Sequence, residues 1–333
     1  MGLSKAGQPL GAMEVFDLVR EDLAKVELEI RLESVASVDA ITTIGRYLHS
    51  SGGKRLRPIL VLLAARLFGE ASRGAIRMAA VVEMIHAATL VHDDVIDYAE
   101  TRRGRASTNA VWGNHTSVLA GDWLYMQAFQ IALEERNFTV LDLLIGLTQK
   151  MVEGELLQLE RIGRIDVTEA DYMELVDRKT AGLFSACAQL GAILGRASDG
   201  EIVRLGDFAW NLGMAFQLVD DVLDFTAEEN VVGKPVGSDL REGKVTLPLI
   251  YALESASAGE RAEVAAVLGN GHYNDVPFPR LLDLVRRHGG FERAIERAQS
   301  FRAKARALIA GFPDSAPQRA LASLPELVTD RDH

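Results

Sequence analysis

Helical periodicity is the feature of this sequence that most constrains its fold. Apolar residues recur at steps of three and four through long runs, including PILVLLAARLF, AIRMAAVVEMIHAATLVHDDVIDYA, FTVLDLLIGLTQKMVEGELLQL and FQLVDDVLDF. Several of these runs are apolar on more than one helical face, which is typical of the central helices of a large bundle. No sustained alternation of apolar and polar residues occurs, so strands are not expected. The sequence predicts an all-α fold.

The chain carries no linker that would divide it. A length of 333 residues suits one large domain or two. Because no stretch rich in Pro, Gly and Ser separates the helical runs, we expect a single domain over residues 1–333. The longest irregular segment, residues 226–248, is charged and glycine-rich. Loops of that length in compact domains are usually functional.

Composition and charge exclude several classes of protein. The net charge of -11 argues against a nucleic-acid partner, which normally meets a basic surface. The single cysteine, Cys187, lies in an apolar run, so we expect a core residue, no disulfide framework and a reducing compartment. The N-terminal MGLSKAGQPL has no apolar core of signal-peptide length, and no run reaches the eighteen or so apolar residues of a membrane span. The expected location is the cytoplasm.

Two clusters of aspartates interrupt the apolar helical runs. The first aspartate cluster is Asp93, Asp94 and Asp97, and the second aspartate cluster is Asp220, Asp221 and Asp224. Both have the pattern Asp-Asp-x-x-Asp. One copy alone is weak evidence, because a helix that ends in solvated acids would give the same pattern. Two copies, each inside an apolar run, favour a functional role.

The spacing of these clusters points to a divalent metal. A helical i, i+4 step stacks the first and last aspartate of each cluster, and like charges so placed destabilise a helix unless a cation lies between them. Carboxylate oxygens suit Mg²⁺, which commonly bridges a few carboxylates to substrate phosphates. Zinc or iron would favour histidine or cysteine. A di-iron bundle needs two Glu-x-x-His motifs, and the chain has one, Glu83 to His86.

Basic residues accompany the acidic clusters. Lys54, Arg55 and Arg57 lie at the start of a predicted helix, where cations oppose the helix dipole, so we expect an anion site there. An ordinary basic turn is the alternative. Arg102 and Arg103 follow the first cluster and can reach back over the helix end; guanidinium groups suit diphosphate oxygens. Gly52 and Gly53 would let the backbone come close to the anion. Further polar candidates are Lys179, Thr180, Gln217, Lys234 and Lys244. The set predicts two phosphate-bearing substrates beside an apolar cavity.

These residues resemble a known family, the trans-isoprenyl diphosphate synthases, and most closely its long-chain bacterial polyprenyl (octaprenyl-type) branch. The matching segments occur in order across about residues 50–255: GGKRLRP, IHAATLVHDDVIDYAETRRG, GDWLYMQAF, EGELLQL, KTAGLF, FQLVDDVLDF and GKPVGSDLREGKVTLPL. The resemblance implies a single helical bundle around a central active-site cavity, usually as a homodimer. It also implies Mg²⁺-dependent head-to-tail condensation of isopentenyl diphosphate with an allylic diphosphate.

The resemblance also implies a role for each matched residue. Metal ligands would be Asp93, Asp97 and Asp220, with Asp94, Asp221 and Asp224 completing the two clusters. Isopentenyl diphosphate would be held by Gly53, Lys54, Arg57, His86 and Arg103. The allylic partner would be surrounded by Arg102, Lys179, Thr180, Gln217, Lys234 and Lys244.

The implied chemistry needs no dedicated protein base. About three Mg²⁺ ions and the cationic side chains would stabilise the departing diphosphate. The amide oxygen of Gln217 and the hydroxyl of Thr180 would soften the allylic cation. The isopentenyl double bond then attacks, and the released diphosphate takes the proton.

Chain length follows from the helix upstream of the first cluster. In this family the growing tail runs along that helix, which would place Ala88 and Thr89, then Ile85, then Val81 or Val82 along a tunnel. Ala88 and Thr89 are small where short-chain relatives carry aromatic residues, so we expect a product near C40. A close helix–helix contact at Ala88 is the alternative.

One departure and three rival functions accompany this reading. The chain ends TDRDH, where many relatives end in a basic residue that helps close the site; Arg331 could serve, with His333 after it. The nearest rival is a short-chain (farnesyl or geranylgeranyl) synthase. A class I terpene cyclase would not need GGKRLRP, and a non-catalytic subunit would normally lack aspartates from one cluster.

Overall fold

The computed structural model describes residues 10–50, 52–102, 104–226 and 236–329. Helices dominate all four segments, and a π-helical turn at Asp177–Ala181 interrupts them between α8 and α9. The helices are α1 Ala12–Glu33, α2 Asp39–Ser50, α3 Leu56–Arg66, α4 Arg73–Ile96, α5 Thr108–Trp112, α6 Asn114–Glu134, α7 Phe138–Arg161, α8 Glu169–Val176, α9 Gly182–Leu194, α10 Asp199–Thr226, α11 Ser238–Arg241, α12 Leu247–Ser255, α13 Ala258–Asn270, α14 Phe278–Arg287, α15 Gly290–Ile309 and α16 Ala316–Thr329. The predicted all-α fold is confirmed.

Two local features differ from the sequence predictions. An antiparallel hairpin pairs β1 (Thr101–Arg102) with β2 (Arg105–Ala106), although no strand was expected. Strands of two residues are too short to show any alternation of apolar and polar side chains. Part of the segment expected to be irregular forms α11, while residues 227–235 of that segment lie outside the described residues.

Side-chain caps explain where several helices begin. The hydroxyl of Ser72 accepts a hydrogen bond from the amide of Ala75, which fixes the start of α4. Thr168 and Asp171 form a capping box at α8, and Ser257 with Glu260 forms another at α13. Such residues satisfy amide groups that have no partner within the helix.

The chain divides into two compact units. Unit 1 comprises residues 1–146, 184–209 and 306–327, and α4 lies within it, packed against α1, α3 and α6. Among the described residues, α4 alone has the length and apolar composition of a membrane span, and 67% of its most apolar window is buried inside the protein. A buried core helix passes the same test, and the packing of α4 is that of such a helix.

Unit 2 comprises residues 147–183, 210–305 and 328–333. Its core is formed by α8, the C-terminal half of α10, and α12 to α15, through residues such as Tyr172, Leu218, Leu247 and Phe291. The second aspartate cluster lies at the end of α10 within this unit.

Candidate active site

The first aspartate cluster ends α4. Asp93 and Asp94 lie in its last turn, and Asp97 is the C-cap, so the predicted i, i+4 spacing is present. Arg102 Nε donates to Asp94 Oδ1 at 2.5 Å. Asp94 is buried, and this burial, assisted by Asp97, keeps the pKa of its carboxyl above the usual value although Arg102 opposes the shift. The predicted reach of Arg102 back to the helix end is confirmed.

Tyr47 of α2 holds the hairpin that carries Arg102. Its hydroxyl donates to the carbonyl of Ala106 at 2.6 Å, and the guanidinium of Arg105 lies 4.3 Å from the centre of its ring. Trp112 packs edge-on against the same ring at 5.0 Å. The hairpin is therefore attached to the helix that leads into the GGKRLRP segment. Arg103 lies outside the described residues.

A missing Cβ makes room beside the first cluster. The ring of His92, the residue before Asp93, lies over Gly121 of α6, where a Cβ would come within 2.3 Å of Nε2. The same nitrogen is 3.1 Å from the carbonyl of Val118 and 3.3 Å from the carboxylate of Asp122. The glycine of the GDWLYMQAF segment thus allows close packing between α6 and the end of α4.

Arg55 of the GGKRLRP segment forms ion pairs with two carboxylates. It occupies the N-cap position of α3 with a φ of 50°, a left-handed conformation unusual for a residue with a side chain. Its guanidinium binds Glu27 at 2.5 Å and Glu83 at 2.7 Å. Arg55 also lines a cleft in unit 1 together with His86, so its expected part in an anion site stays a prediction.

The other residues of this basic segment lie before and within the first turn of α3. Lys54 is exposed, as is Gly53, and the guanidinium of Arg57 lies 5.3 Å from the ring centre of Phe184. A cleft in unit 1 brings His86 together with Gly52, Arg55, Asp94 and Arg102, and Met84, Ala87, Leu90 and Leu124 supply apolar wall. The predicted isopentenyl residue His86 and the predicted allylic residue Arg102 thus line one cleft.

Buried neutral donors surround the second aspartate cluster. Asp220, Asp221 and Asp224 lie in the last two turns of α10, and Asp221 is 3% exposed. Tyr172 donates its hydroxyl hydrogen to Asp221 Oδ2 at 2.6 Å, and Gln217 Nε2 donates to Oδ1 at 2.7 Å. Gln217 therefore lies on the same face of α10 as Asp221.

The end of α10 is also joined to α11. Ser238 donates its hydroxyl hydrogen to Asp224 Oδ1 at 2.9 Å, and the amide of Gly237 donates to the backbone carbonyl of Asp224 at 2.7 Å. Burial, and then repulsion from Asp239, raises the pKa of the Asp221 carboxyl well above its usual range. Negative charge is therefore concentrated here, and a cation would relieve it.

The π-helical turn presents Lys179 and Thr180. Lys179 Nζ donates to Gln158 Oε1 at 3.0 Å and forms an ion pair with Glu155, both from the EGELLQL segment of α7. Gly154 makes this approach possible, because a Cβ there would lie 2.8 Å from the Cβ of Arg178. Thr180 donates to Gln217 Oε1 at 3.0 Å. Two predicted residues of unit 2 are thus in direct contact.

The remaining predicted residues are placed less distinctively. Lys244 pairs with Glu242 at 2.7 Å, and Lys234, Arg331 and His333 lie outside the described residues. Ile85 and Ala88 are completely buried, and Thr89 is half-buried. The cleft in unit 1 is lined by other residues of α4, so the tunnel stays a prediction.

Cys187 is a buried core residue, as predicted, and burial raises the pKa of its thiol to about 12.

The carboxylate oxygens of the two clusters suit Mg²⁺ better than they suit a metal whose ligands all come from the protein. Within the described parts of the chain, no three His, Cys, Asp or Glu side chains converge on one ion position. Mg²⁺ typically takes one or two carboxylates and completes its shell with waters and substrate phosphates. Paired aspartates without histidine or cysteine match that requirement.

Several residues of these sites were missed in the sequence. Tyr172, Tyr47 and Glu83 act through contacts between distant segments, and no local spacing announces such contacts. Gln158 and Glu155 carried a weak signal, because EGELLQL is one of the matching segments. The pairing of Arg55 with Glu27 and Glu83 was not predicted, because sequence proximity does not reveal partners 28 residues away.

Comparison with known proteins agrees with the sequence motifs. The sequence profile of the family described as polyprenyl synthetase matches residues 38–283. The octaprenyl diphosphate synthase of Escherichia coli (strain K12) is 37% identical over 319 residues, covering 96% of this chain and 98% of that protein. A short chain isoprenyl diphosphate synthase of Methanothermobacter thermautotrophicus is 35% identical over 327 residues, covering 96% and 100%. The solved polyprenyl synthase from Caulobacter crescentus CB15, complexed with calcium and isoprenyl diphosphate, matches with a TM-score of 0.91 at 34% identity, covering 96% and 97%.

Proposed function

Because the chain belongs to the polyprenyl synthetase family and is a prenyltransferase, we propose that it adds isopentenyl diphosphate units, head to tail and in trans, to an allylic diphosphate. The primer is farnesyl or geranylgeranyl diphosphate, and the product is an all-trans-polyprenyl diphosphate near C40. A single observation carries the proposal: Arg102 donates to the buried Asp94 in a cleft that also contains His86. Carboxylates for metal and cations for phosphate occur together there.

Different residues bind the two substrates. Lys54, Arg57, His86 and Arg103 bind isopentenyl diphosphate, while Arg102, Lys179, Lys234 and Lys244 bind the allylic diphosphate. Bound Mg²⁺, about three ions carried by the two aspartate clusters, supplies Lewis-acid stabilisation of the leaving diphosphate. Thr180 and Gln217 place a hydroxyl and an amide oxygen toward the allylic carbon.

The reaction then proceeds without a protein nucleophile. The allylic C–O bond breaks and diphosphate leaves with the electron pair. The isopentenyl double bond forms the new C–C bond, and the resulting cation loses a proton to the released diphosphate, which creates the new double bond. The chain's contribution is to orient both substrates and to balance the charge that develops.

Product length is proposed to depend on α4. Ala88 and Ile85 are fully buried on the helix that ends in the first cluster, and Thr89 adjoins them. The small side chains of Ala88 and Thr89 leave room beside α4 for a tail of about eight isoprene units. A short-chain product is the second candidate, supported by the relative of that class at 35% identity.

A homodimer is part of the proposal, supported by exposed apolar residues on α6. Leu119 and Met126 are 66% and 63% exposed, and Leu133 follows at the same seven-residue step, so the three share one helical face. An apolar stripe of this kind suits a helix of a second copy. We place the enzyme in the cytoplasm, with transient membrane contact when the lipid product leaves.

The test is a direct assay of the condensation. Purified protein is incubated with farnesyl diphosphate, labelled isopentenyl diphosphate and Mg²⁺, and the dephosphorylated lipid is sized by chromatography. We expect labelled chains near C40 and no product when the metal is chelated. Chains ending at C15 or C20 would establish the short-chain alternative.

Two controls separate the remaining rivals. Turnover of the allylic diphosphate without isopentenyl diphosphate would indicate a terpene cyclase. A homomer that is inert with both substrates and Mg²⁺ would indicate a non-catalytic subunit and would overturn the proposal.

A further inference from the structure

Tyr172 is a buried polar residue of unit 2 to which the proposed mechanism gives no role. It is 4% exposed and lies in the first turn of α8, seven residues before Lys179. We infer that Tyr172 is a positioning residue: through Asp221 it fixes the direction of the Gln217 amide that faces the reaction. This inference deepens the proposed function and rests on it.

A continuous set of hydrogen bonds links Tyr172 to Thr180. The Tyr172 hydroxyl donates to Asp221 Oδ2 at 2.6 Å, and Gln217 Nε2 donates to Oδ1 of the same carboxylate at 2.7 Å. Thr180 Oγ1 donates to Gln217 Oε1 at 3.0 Å. Both oxygens of Asp221 therefore have a donor, and Asp221 and Gln217 each have a partner on either side within the set.

The chemistry of these groups determines the direction of the amide. The Gln217 atom that faces Asp221 Oδ1 is the NH₂ nitrogen, which donates to this carboxyl oxygen. The amide oxygen faces Thr180, whose hydroxyl donates to it. Amide oxygen and nitrogen are assigned from such partners, and both contacts agree with this direction.

Tyr172 restricts the carboxylate that imposes this direction. Asp221 is buried, so water cannot readily replace a lost donor. If the phenol hydroxyl is removed, Oδ2 loses its donor and the carboxylate can rotate about its Cβ–Cγ bond. Gln217 would then lose its fixed acceptor, and its amide could present nitrogen in place of oxygen.

The position of Tyr172 is itself rigid. The capping box of Thr168 and Asp171 fixes the start of α8, and the backbone amide of Tyr172 donates to the carbonyl of Thr168 at 3.0 Å. At the other end, Trp210 Nε1 donates to Asp177 Oδ1 at 2.5 Å and holds the π-helical turn. Tyr172 and Thr180 thus belong to one anchored segment, and Asp221 and Gln217 to α10.

The proposed function makes this direction matter for catalysis. An amide oxygen directed at an allylic cation stabilises it, whereas an NH₂ group would repel it. The effect belongs to the cation-forming step, so it should appear in kcat. Binding of isopentenyl diphosphate uses residues of unit 1 and should not change.

The test variant is Tyr172→Phe, with Tyr251→Phe as the matched control. Tyr251 is equally buried in unit 2, and its hydroxyl bonds to Glu169, away from the cluster. We expect Tyr172→Phe to lower kcat about tenfold or more and to leave KM for isopentenyl diphosphate within about twofold. Tyr251→Phe should keep the wild-type kcat, and both variants should unfold at similar temperatures.

A double-mutant cycle distinguishes positioning from a general structural effect. If Tyr172 acts through Gln217, Tyr172→Phe should cost less than about twofold in a Gln217→Ala background. Wild-type kcat in Tyr172→Phe, or losses that multiply in the double variant, would overturn the inference.

A crystal structure of unliganded Tyr172→Phe decides the inference independently of activity. A displaced Gln217 amide supports it, and an unchanged bond from Gln217 to Asp221 contradicts it. A wild-type enzyme that is inert with both substrates would instead overturn the proposed function, while this structural comparison would still stand.

Discussion

The two aspartate clusters share a sequence pattern but differ in what meets their buried carboxylates. In the first cluster, Asp94 accepts a hydrogen bond from the guanidinium of Arg102. In the second, the described partners of Asp221 are neutral, a tyrosine hydroxyl and a glutamine amide. Burial raises the pKa of both carboxyls, and repulsion from Asp239 adds to the effect at Asp221.

This difference indicates how each cluster depends on a cation from outside. The charge of Asp94 is partly balanced within the protein by a residue on the adjacent hairpin. The hydrogen bonds to Asp221 orient its carboxyl group, but their donors are uncharged and do not neutralise it. The second cluster should therefore respond more strongly to the presence of a divalent ion.

The largest effects are expected from replacing these two carboxylates. Asp94→Asn and Asp221→Asn should each lower kcat about a hundredfold or more, because each removes charge that the leaving diphosphate and its ions require. Their melting temperatures at pH 7 should differ. A carboxyl with a raised folded-state pKa destabilises the fold once ionised, so Asp221→Asn should keep or raise the melting temperature.

Asp94→Asn should gain less, because the lost pairing with Arg102 offsets part of the relief from removing a buried charge. Melting curves at pH 7 and steady-state kinetics test both variants. A melting temperature for Asp221→Asn several degrees below that of the wild type would contradict the comparison.

An intermediate effect is expected on product length, and the chain offers a matched pair. Ala88 and Ala215 each lie five residues before their cluster, and both are fully buried. If the tail follows α4 alone, Ala88→Phe, alone or with Thr89→Phe, should shorten the product while retaining turnover. Ala215→Phe should reduce stability by about 1–3 kcal/mol through overpacking without a specific shortening.

Chromatographic sizing of the lipids measures both outcomes. Unchanged length in Ala88→Phe with Thr89→Phe would refute the tunnel assignment, and shortening in Ala215→Phe alone would move the tunnel to α10.

The smallest effect is expected at a carboxylate outside both clusters. The backbone amide and hydroxyl of Ser257, and then His288, lower the pKa of Glu260 to about 2, the opposite direction from Asp94 and Asp221. Its stabilising effect is therefore complete above the unfolded pKa near 4.5 and is lost as pH falls toward 2.

Glu260→Gln should lower the melting temperature by about 1–2 °C at pH 7 and leave kcat unchanged. Melting curves between pH 8 and pH 3 should show a constant difference down to about pH 5 and a shrinking one below it. A difference that grows in acid would show that the sign is wrong.

The fold was largely predictable because apolar residues recur at steps of three and four along long helices. The apolar steps of α4 and α10 were read correctly, since each depends on residues within one or two turns. The hairpin at residues 101–106 and the π-helical turn at Asp177–Ala181 were not predicted. Each involves so few residues that no period can develop.

The site was predictable in its residue types more than in its pairings. The reach of Arg102 back to the first cluster was predicted correctly because only eight residues separate it from Asp94. The pairings of Arg55 with Glu83 and of Tyr172 with Asp221 were not predicted, because these partners are 28 and 49 residues apart. Pairings across such separations depend on packing, which a single sequence does not record.

The contact between Gly121 and His92 changes how natural variants of this enzyme should be interpreted. Alanine is usually regarded as the mildest replacement for a helical glycine, and a survey ranked by chemical similarity would pass over it. Here the added methyl group would force the imidazole to swing away from Val118 and Asp122, disturbing the residue that precedes Asp93. A substitution that looks harmless in an alignment would therefore disturb the end of α4 that carries the first aspartate cluster.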